Sequence, residues 1–565
     1  MMRWFLSILL LGLLSACLDQ SGVSVNQECE DADSCKEAIV DPSTSYCEKY
    51  LLADMYNELD GNGTPSSPYI ICTAAQFVDI GKNQGAWSKS FLLAKDIDLA
   101  QYYIDGGTFF QIGSCGQTSC RTFGAGHIQY TGSFDGAGFS IENYHYEIES
   151  SESGAAMFGS IGSNAVIANV KIAGAKVYGK DTIGIVAGRN DGVITNVDVL
   201  SGDLRVRSPN TAAKNVGGMV GLNNGILRNV KVEKSGNTIL LDAGVTFENV
   251  GGVVGLNENA AYVGYATNAS AVSQNTATGL GGLAGRNNGF ITFSKNTGNI
   301  TANAASEGVG GLVGIMNHFG QVTTSYNSAL ISSGADKTGG IVGEITFPTY
   351  NSITASEDEN RGLISDTYNI GAVQASGGDN VGGVVGYNRG VIRSSYHANA
   401  DVSGRSYVGG IAGRNDYSIV QSFVHNASVT AAVSLGGVIF GSSSTADKND
   451  YVATDEEKGK GIVPRPTFEQ DSVDLDSASH PFNTFTNVTL TSAGADGQHD
   501  GGIETNNVND YFDLSFELYS RTSTVTCPDP VPAGLTCETT TIKTIHWDFT
   551  NIWKRKTSAT PNLGF

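Results

Sequence analysis

Aspartates are the residues of this sequence whose spacing could support acid–base chemistry. Enzymes that cleave polysaccharides hold two or three carboxylates over one face of a sheet, or use acidic calcium ligands beside a basic residue. Five candidates for such a site lie in the amino-terminal part of the chain: Asp96, Asp98, Asp135, Asp181 and Asp198. They also lie beside glycine or in turns, where aspartate is common for structural reasons. A carbohydrate-active enzyme is therefore kept as an alternative interpretation.

The eight histidines do not form a zinc-peptidase motif. HExxH requires two histidines one helical turn apart, with a glutamate directly after the first. No histidine of the sequence is followed by glutamate. No nucleophile elbow supports Ser/His/Asp catalysis either. We therefore predict that the protein is not an enzyme.

Cys17 follows a segment with the features of a secretion signal. Arg3 gives a short positive start, and residues 4–14 are mostly apolar. The tetrapeptide Leu-Ser-Ala-Cys that ends at Cys17 resembles the bacterial lipobox, in which the signal is cut before a cysteine that is then lipidated. The resemblance implies an anchor in membrane lipid, and Leu18 in place of aspartate implies the outer membrane. An ordinary signal peptide with Cys17 in a disulfide is the alternative.

The remaining eight cysteines fall into four close pairs. An even count in an exported chain predicts disulfides, although the sequence leaves their connectivity open. Local pairing, the simplest choice, joins Cys29 with Cys35, Cys47 with Cys72, Cys115 with Cys120, and Cys527 with Cys537. Because no CxxC pair occurs, we do not expect these cysteines to bind metal.

The composition limits the partners of the protein. The chain has 34 Lys+Arg against 56 Asp+Glu, a net charge of −22, so nucleic acid is not an expected partner. With 72 glycines and 16% charged residues, it fits an extracellular β-protein. We expect no cofactor. Residues 60–63, Asp-Gly-Asn-Gly, superficially resemble a calcium loop, but they lack the further ligands and are interpreted as a turn.

A glycine-rich pattern recurs between Gly154 and Gly441 and organises the chain. Its form is Gly-Gly-x-x-Gly-x-Asn-x-Gly, as at 217–225, 281–289 and 382–390, and it returns about every 30 residues. The residues between copies are strand formers broken by Gly, Asn, Asp and Ser. Each copy is therefore predicted to be one coil of a parallel β-solenoid with about ten to thirteen coils. A longer interval containing residues 356–361 should loop out, as a specificity loop or as a solvated hairpin tip.

Asparagine follows the last glycine of most copies by two or three residues. Stacked coils would place these side chains about 4.8 Å apart, where each amide can bond to the next. We interpret them as a structural ladder: Asn190, Asn223, Asn257, Asn287, Asn317, Asn388 and Asn415. The aromatic residues Tyr326, Tyr396 and Phe423 are predicted to form a stack that stiffens the solenoid, with a sugar-binding platform as the open alternative.

The order of these pieces resembles a known family. Strand–turn–strand units at 91–99 and 132–141, the sequence Met-Phe-Gly at 157–159 and the glycine repeats are similar to bacterial surface proteins with GLUG motifs. That family occurs in adhesin-like exported proteins and beside the peptidase domain of immunoglobulin A1-cleaving metallopeptidases. Over about residues 64–460, the resemblance implies a right-handed parallel β-helix outside the cell, associated with adhesion. It carries no catalytic residue across, and departures near 184–188, 259–260 and 436–441 imply local bulges.

The sequence thus predicts five segments. These are a signal peptide (1–16), a lipidated acidic tether (17–46), an amino-terminal cap with the first coils (47–153), the glycine-rich solenoid (154–441) and a small β cap (442–565). The sequence of residues 68–81 predicts a strand followed by a short helix within the cap. We predict an outer-membrane-anchored, surface-exposed lipoprotein that binds an unknown host, biofilm or glycan ligand. A carbohydrate-active enzyme and an envelope spacer are the alternatives.

Overall fold

The computed structural model describes residues 60–442 apart from gaps, together with Cys47, Met55 and several carboxy-terminal strands. The gaps are 117–119, 122–125, 148–152, 207–212, 234–236, 242–245, 275, 348–360, 421 and 438–439. The lipidation candidate Cys17 and the cysteines Cys29, Cys35, Cys527 and Cys537 lie outside the described residues. So does most of the predicted outward loop.

The described chain is a parallel β-solenoid, as the glycine repeat predicts. Its strands pair in parallel with strands of neighbouring coils. The chain divides into two compact units. The first holds the described residues of Met1–Pro209 and Gly218–Ala243, and the second those of Asn210–Gly217 and Gly244–Phe565.

Each copy of the repeat forms one short strand around its last glycine. We call these the Gly-x-Asn strands, after the sequence that most of them share. In the first unit these strands are Phe158–Ile161, Ala187–Asn190 and Val220–Asn223. In the second they are Val254–Asn257, Ala284–Asn287, Val313–Met316, Val342–Ile345, Val385–Asn388, Ala412–Asn415 and Phe440–Ser442. Within each unit, consecutive Gly-x-Asn strands pair in parallel and in the register that the repeat predicts.

The other strands complete the coils. In the first unit they are Tyr69–Ile71, Phe91–Leu93, Ile97–Asp98, Ser133–Asp135, Ser140–Glu142, His145–Glu147, Val166–Ala173, Ala175–Gly179, Val193–Val199, Gly202–Val206, Ile226–Val232 and Asn237–Leu241. In the second they are Ala213–Gly217, Phe247–Gly251, Tyr262–Gly264, Thr267–Asn268, Val272–Gln274, Ala277–Gly281, Phe290–Thr292, Lys295–Asn296, Ile300–Ala302, Glu307–Gly310, Gln321–Thr323, Tyr326–Asn327, Ile331–Ser333, Asp336–Gly339, Leu363–Ser365, Tyr368–Asn369, Val373–Gly382, Val391–Arg393, Tyr396–Ala398, Val402–Gly409, Ser418–Val420, Phe423–Gly437, Thr484–Ser492 and Ile503–Glu504. An antiparallel pair, Trp553–Lys556 with Ala559–Leu563, lies near the end of the chain.

Helices occur only before the repeats in the part of the chain that the structure describes. The helix Ala74–Lys82 follows the strand Tyr69–Ile71, as predicted, and a capping box between Thr73 and Gln76 fixes its start. A 3₁₀ turn, Gln84–Ala86, and a short helix, Ala100–Ile104, follow. Phe77, Val78 and Ile80 bury the apolar side of the first helix. None of the described helices is long and apolar enough to cross a membrane.

Two of the predicted cysteine pairs are disulfides in this structure. Cys47 bonds to Cys72, and Cys115 bonds to Cys120. The first joins Cys47, at the start of the cap, to the residue that follows the strand Tyr69–Ile71. The second closes a short loop against Gly154, where an added Cβ would lie 2.6 Å from both sulfur atoms. The disulfides therefore fasten the amino-terminal elements, where the repeat pattern has not yet begun.

Apolar residues stack from coil to coil in the solenoid core. One such column in the second unit comprises Val263, Ile291, Val322, Ile364 and Ile392, all fully buried and consecutive in register. Burying a side chain of this size stabilises the fold by about 1.5–3 kcal/mol. The column repeats because each coil presents the same strand position to its neighbours.

The asparagines after the last glycine form the predicted ladder in segments. Asn190 donates to Asn223 at 2.8 Å, and Asn257 donates to Asn287 at 2.8 Å. Further along, Asn388 donates to Asn415 at 2.7 Å. All of these amides are buried, so each bond pairs groups that water does not reach.

Asn317 is not a rung of this ladder, contrary to the prediction. Met316 occupies the position in register with Asn287, and Ile345 follows it in the next coil. Asn317 lies one residue past this strand, which ends at Met316. There its Oδ1 accepts hydrogen bonds from Arg286 and Thr346.

A second asparagine ladder, which the sequence analysis missed, runs through the core of the second unit. Its members are Asn268, Asn296, Asn327 and Asn369, all fully buried, and each of the first three donates Nδ2 to the next at 2.8–2.9 Å. Each amide also bonds the backbone two residues further on, as Asn296 does with Gly298. We call this column the buried ladder.

The buried ladder explains the paired glycines of the repeat. A Cβ on Gly282 would lie 2.4 Å from Cγ of Asn296 and 2.2 Å from the carbonyl oxygen of Gly311. A Cβ on Gly311 would likewise meet Asn327 at 2.6 Å. Because no side chain fits at these distances, the backbone of the next coil and the ladder asparagine together require glycine at these two positions.

A third column of asparagines lies at a corner of the first unit. Asn169, Asn196 and Asn229 all have positive φ, between 51° and 55°, a conformation that asparagine adopts at low cost. Asn229 donates to Asn196 at 2.7 Å, and Asn196 donates to Asn169 at 2.9 Å. Asn169 in turn donates to Asp135 at 3.0 Å.

His397 ends the buried ladder. Its Nδ1 lies 3.1 Å from Nδ2 of Asn369, and its Nε2 lies 2.8 Å from the carbonyl oxygen of Ala400. Since Asn369 donates and Ala400 accepts, these contacts fit a neutral ring that carries its proton on Nε2. Complete burial lowers the pKa of His397 to about 4, against weaker opposing effects from Ala400, Asn369 and Asp401.

We predict that Asn296→Ala lowers the free energy of unfolding by about 3 kcal/mol, because it removes the buried bonds to Asn268, Asn327 and the backbone of Gly298 and leaves one N–H of the Asn268 amide unbonded. Urea unfolding of the purified chain measures the change. The exposed Asn299→Ala, which loses one bond to Leu330, is the matched control and should change stability by less than about 0.5 kcal/mol. Equal effects of the two variants would contradict the role of the ladder.

The lowered pKa of His397 predicts acid sensitivity. Between pH 6.5 and about 4 the unfolded state binds a proton that the folded state does not, so stability falls as pH falls through this window. The shift corresponds to about 3 kcal/mol. His397→Asn, which continues the ladder, should remove this part of the pH dependence of urea unfolding. Exposed His145→Asn is the control, and an unchanged acid slope in His397→Asn would refute the prediction.

Candidate binding surface

Four of the five aspartates proposed for acid–base chemistry accept hydrogen bonds that hold turns and strands in place. Asp96 accepts from the backbone N–H of Ser140 at 2.7 Å and from its hydroxyl at 2.9 Å. Asp98 accepts from the backbone of Ala100 at 2.9 Å and from Asn143 at 2.8 Å. Both carboxylates therefore tie the loop after one strand to the next coil.

Two of the other three aspartates have similar roles. Asp135 accepts from the backbone of Ala137 at 2.8 Å and from Asn169, and Asp181 accepts from Thr182 at 3.0 Å. Asp198 lies in register between Lys171 and Lys231. Burial raises its pKa, and the charge of Lys231 opposes that shift. Among the described residues no group of three or more His, Cys, Asp or Glu is arranged to hold a metal ion.

The predicted aromatic stack is present and largely buried. The rings of Tyr326 and Tyr368 lie 4.9 Å apart and nearly parallel, and those of Tyr368 and Tyr396 lie 5.0 Å apart. Phe423 follows Tyr396 in register. Burial raises the pKa of both Tyr326 and Tyr368. Since Tyr368 and Tyr396 offer almost no surface to a ligand, the geometry fits the stiffening role.

A cluster of arginines and aromatic rings lies on the outward side of the Gly-x-Asn strands in the second unit. The residue between the glycine and the asparagine of each strand points to the side opposite the ladder asparagine, because side chains alternate along a strand. Glu344, Tyr387 and Arg414 occupy this position in three consecutive coils. With their neighbours they form the set that we call the arginine–aromatic cluster: Phe347, Arg361, Tyr387, Arg389, Arg414 and Tyr417.

Arg361 is held between two rings of this cluster. Its guanidinium carbon lies 3.6 Å from the ring centre of Phe347 and 3.8 Å from that of Tyr417. Its Nη1 donates to the carbonyl oxygen of Arg389 at 3.1 Å. Only 7% of the residue is exposed, so the cation–π contacts form away from water, where they are strongest. Arg361 therefore joins three coils through Phe347, Arg389 and Tyr417.

Tyr387 has the reverse arrangement, with one ring between two guanidinium groups. Arg389 and Arg414 lie 4.6 Å and 4.8 Å from its ring centre. Its hydroxyl donates to Asp416 and accepts from Nε of Arg389 at 2.8 Å. Burial and the negative charge of Asp416 raise the pKa of Tyr387, which keeps the phenol protonated.

The guanidinium of Arg389 is held in one orientation, but the described residues do not fill all of its hydrogen-bond donors. Its Nε is bonded to Tyr387 and its plane is held near that ring, whereas none of the described residues accepts a hydrogen bond from Nη1 or Nη2. Arg414, in contrast, is paired through two nitrogens with Asp416. Glu344 is paired with Lys337 at 2.9 Å. Arg389 thus offers a fork of two donors, a geometry that suits a carboxylate or a sulfate.

The sequence analysis did not find this cluster, although a signal was present. Aligning the copies on their last glycine places Tyr387 and Arg389 of one coil against Arg414 and Asp416 of the next. Only that alignment shows that Tyr387 lies opposite Arg414, and Arg389 opposite Asp416.

Comparisons with known proteins give partial matches. No family model matches the chain. Over 165 residues, 28% of this chain, it is 31% identical to halomucin of Haloquadratum walsbyi, and the match spans 2% of that protein. Over 142 residues, 25% of this chain, it is 30% identical to a protein of Evansella cellulosilytica named as a Gly-rich membrane protein, and the match spans 15% of that relative. The chain thus covers a small part of either relative.

Among solved structures, the chain is similar to a Bacteroides ovatus protein described as an immunoglobulin A1 protease. The superposition covers 55% of this chain and 77% of that one, with a TM-score of 0.31 and 19% sequence identity.

Proposed function

We propose that this protein is a lipid-anchored binding module of the bacterial outer surface, and that it attaches the cell to a ligand without catalysing a reaction. The observation that carries this proposal is the partly exposed guanidinium of Arg389, which is oriented by Tyr387 and whose Nη1 and Nη2 are not bonded by any of the described residues. A rigid coil stack holds this group in place. The ligand group that fits it is an anion, such as the carboxylate of an acidic polysaccharide.

The anchor in the proposal is Cys17. Acyl chains contribute about 0.8 kcal/mol per buried CH₂, and stable attachment requires more than one chain. The several chains expected on a bacterial lipoprotein cysteine would meet this requirement. The name of the Evansella cellulosilytica relative as a membrane protein agrees with an envelope location.

The location can be tested by protease treatment of intact cells, with lysed cells as the control. We expect the wild-type chain to be digested on intact cells, and the Cys17→Ala chain to be released into the medium because it lacks the acyl anchor. Labelled palmitate should enter the wild-type chain and not Cys17→Ala. Protection of the wild-type chain until lysis would contradict surface display.

The binding surface can be tested with cells that carry Arg389→Gln, on wells coated with polygalacturonate or with neutral dextran. We expect attachment to polygalacturonate to weaken about tenfold, because a charge-assisted hydrogen-bonded contact contributes about 1.5–3 kcal/mol. Arg405→Gln is the matched control, since Arg405 is exposed and already paired with Asp379. Equal loss in both variants would indicate a general charge effect and would contradict a specific site.

A further inference from the structure

Four aromatic residues interrupt the polar surface of two consecutive coils in the second unit. Tyr262 and Phe290 are in register at the first position of their strands, and the same position holds Gln321 in the next coil. Three residues later, at the corner, lie Tyr265 and Phe293. We call these four residues the aromatic corner. Tyr265 is 42% exposed and Phe290 is 36% exposed.

The rings of the aromatic corner are held in fixed positions. Tyr265 and Phe293 stack with their centres 5.0 Å apart and their planes within 6°. The ring of Tyr262 lies over Gly264. A Cβ on that glycine would be only 2.4–2.6 Å from the outer atoms of the Tyr262 side chain. The strands one and two coils further on have Thr292 and Thr323 at the position of this glycine. Gly264 thus makes room for a ring that lies flat on the sheet.

The backbone at this corner is strained by its residue types. Tyr265 has φ of 54° and Phe293 has φ of 48°, in the left-handed region that bulky side chains rarely adopt. The equivalent corner in later coils has positive φ with smaller residues, Thr324, Asp366 and Ser394. Since large aromatic residues are not needed to form the turn, their presence points to a role at the surface.

The size of the patch favours a sugar chain over a protein partner. An aromatic side chain has about 150–250 Å² of surface, so the partly exposed rings offer about 300 Å² of apolar area. A stable protein interface needs about 800 Å² from each partner. Polar groups border the rings, including Gln321 and the hydroxyl pair of Thr292 and Thr323, which are 3.0 Å apart. Flat apolar rings with hydroxyl and amide groups beside them match the C–H faces and hydroxyls of pyranose sugars.

We propose that the aromatic corner binds a flat, neutral, β-1,4-linked glycan chain, with sugar rings stacked on Tyr262 and Phe290. The strands that carry Tyr262 and Phe290 are neighbours, about 4.8 Å apart, so a ribbon-like chain can contact both coils. This site is separate from the arginine–aromatic cluster and needs neither an anionic ligand nor the membrane anchor.

The test is isothermal titration of the purified full-length chain with cellohexaose. The double variant Tyr262→Gln with Phe290→Gln uses the residue that already occupies this position in the next coil, so the fold should tolerate it. We expect wild type to bind and the double variant to bind at least about tenfold more weakly. Tyr265→Asn, which places a residue suited to positive φ at the corner, should keep thermal stability and also weaken binding.

Two controls separate this site from other effects. Ile370→Gln removes an exposed apolar side chain elsewhere in the second unit, where Ile370 is 37% exposed, and should bind cellohexaose like wild type. Arg405→Gln, at an exposed position paired with Asp379, should also bind like wild type. Because cellohexaose carries no charge, a failure of the acidic-ligand proposal leaves this test intact. Absence of cellohexaose binding by wild type would overturn the inference. Undiminished binding by a folded double variant would also overturn it.

Discussion

The contact between the buried ladder and the paired glycines is the constraint on which the solenoid depends. Each ladder amide is fully buried and bonded to its own backbone, and Asn296, for example, is also bonded to the asparagines of both neighbouring coils. It occupies the space where a side chain on the second glycine would stand. This relation repeats through five coils, between Gly252 and Asn268, Gly282 and Asn296, Gly311 and Asn327, Gly340 and Asn369, and Gly383 and His397. The paired glycines in the sequence therefore indicate the buried ladder, although the ladder residues lie outside the glycine pattern.

A fixed interior leaves the outward positions free to vary. Within the Gly-x-Asn strands the glycine and the apolar residues recur, whereas the outward position holds Leu256, Arg286, Ile315, Glu344, Tyr387 and Arg414 in turn. Because register is set inside, a change at such a position does not move its neighbours. Contacts between side chains one coil apart, such as those around Tyr387, are then as well defined as contacts within a strand.

Much of the fold could be predicted from the sequence because coil length and strand content are periodic. The first ladder followed from counting two residues past a glycine, and this count failed only where asparagine stood three residues past it, at Asn317. The buried ladder was missed because its members lie far from the glycines they touch, across loops of variable length. Its local signal was nevertheless present in pairs such as Tyr326-Asn327 and Tyr368-Asn369.

The candidate surfaces were less accessible to sequence analysis for a related reason. Their residues meet between copies, so no single copy contains the contact. Arg361 reaches Phe347 across the longest interval of the repeat, and Tyr265 meets Phe293 from the neighbouring coil. The aspartates, in contrast, stood out in the sequence because turns need them. Residue type alone did not distinguish the structural role from a chemical one.

The asparagine columns also have a direction. In the buried ladder every amide donates toward the later coil, and the last acceptor is the imidazole nitrogen of His397. At the corner of the first unit the donors point toward the earlier coil, and the last acceptor is the carboxylate of Asp135. Each column thus terminates on an atom that accepts without passing the bond on. Aligned amide dipoles polarise one another, so each added rung strengthens the column, and the terminal acceptor sets where this cooperative chain stops in a fold that otherwise repeats.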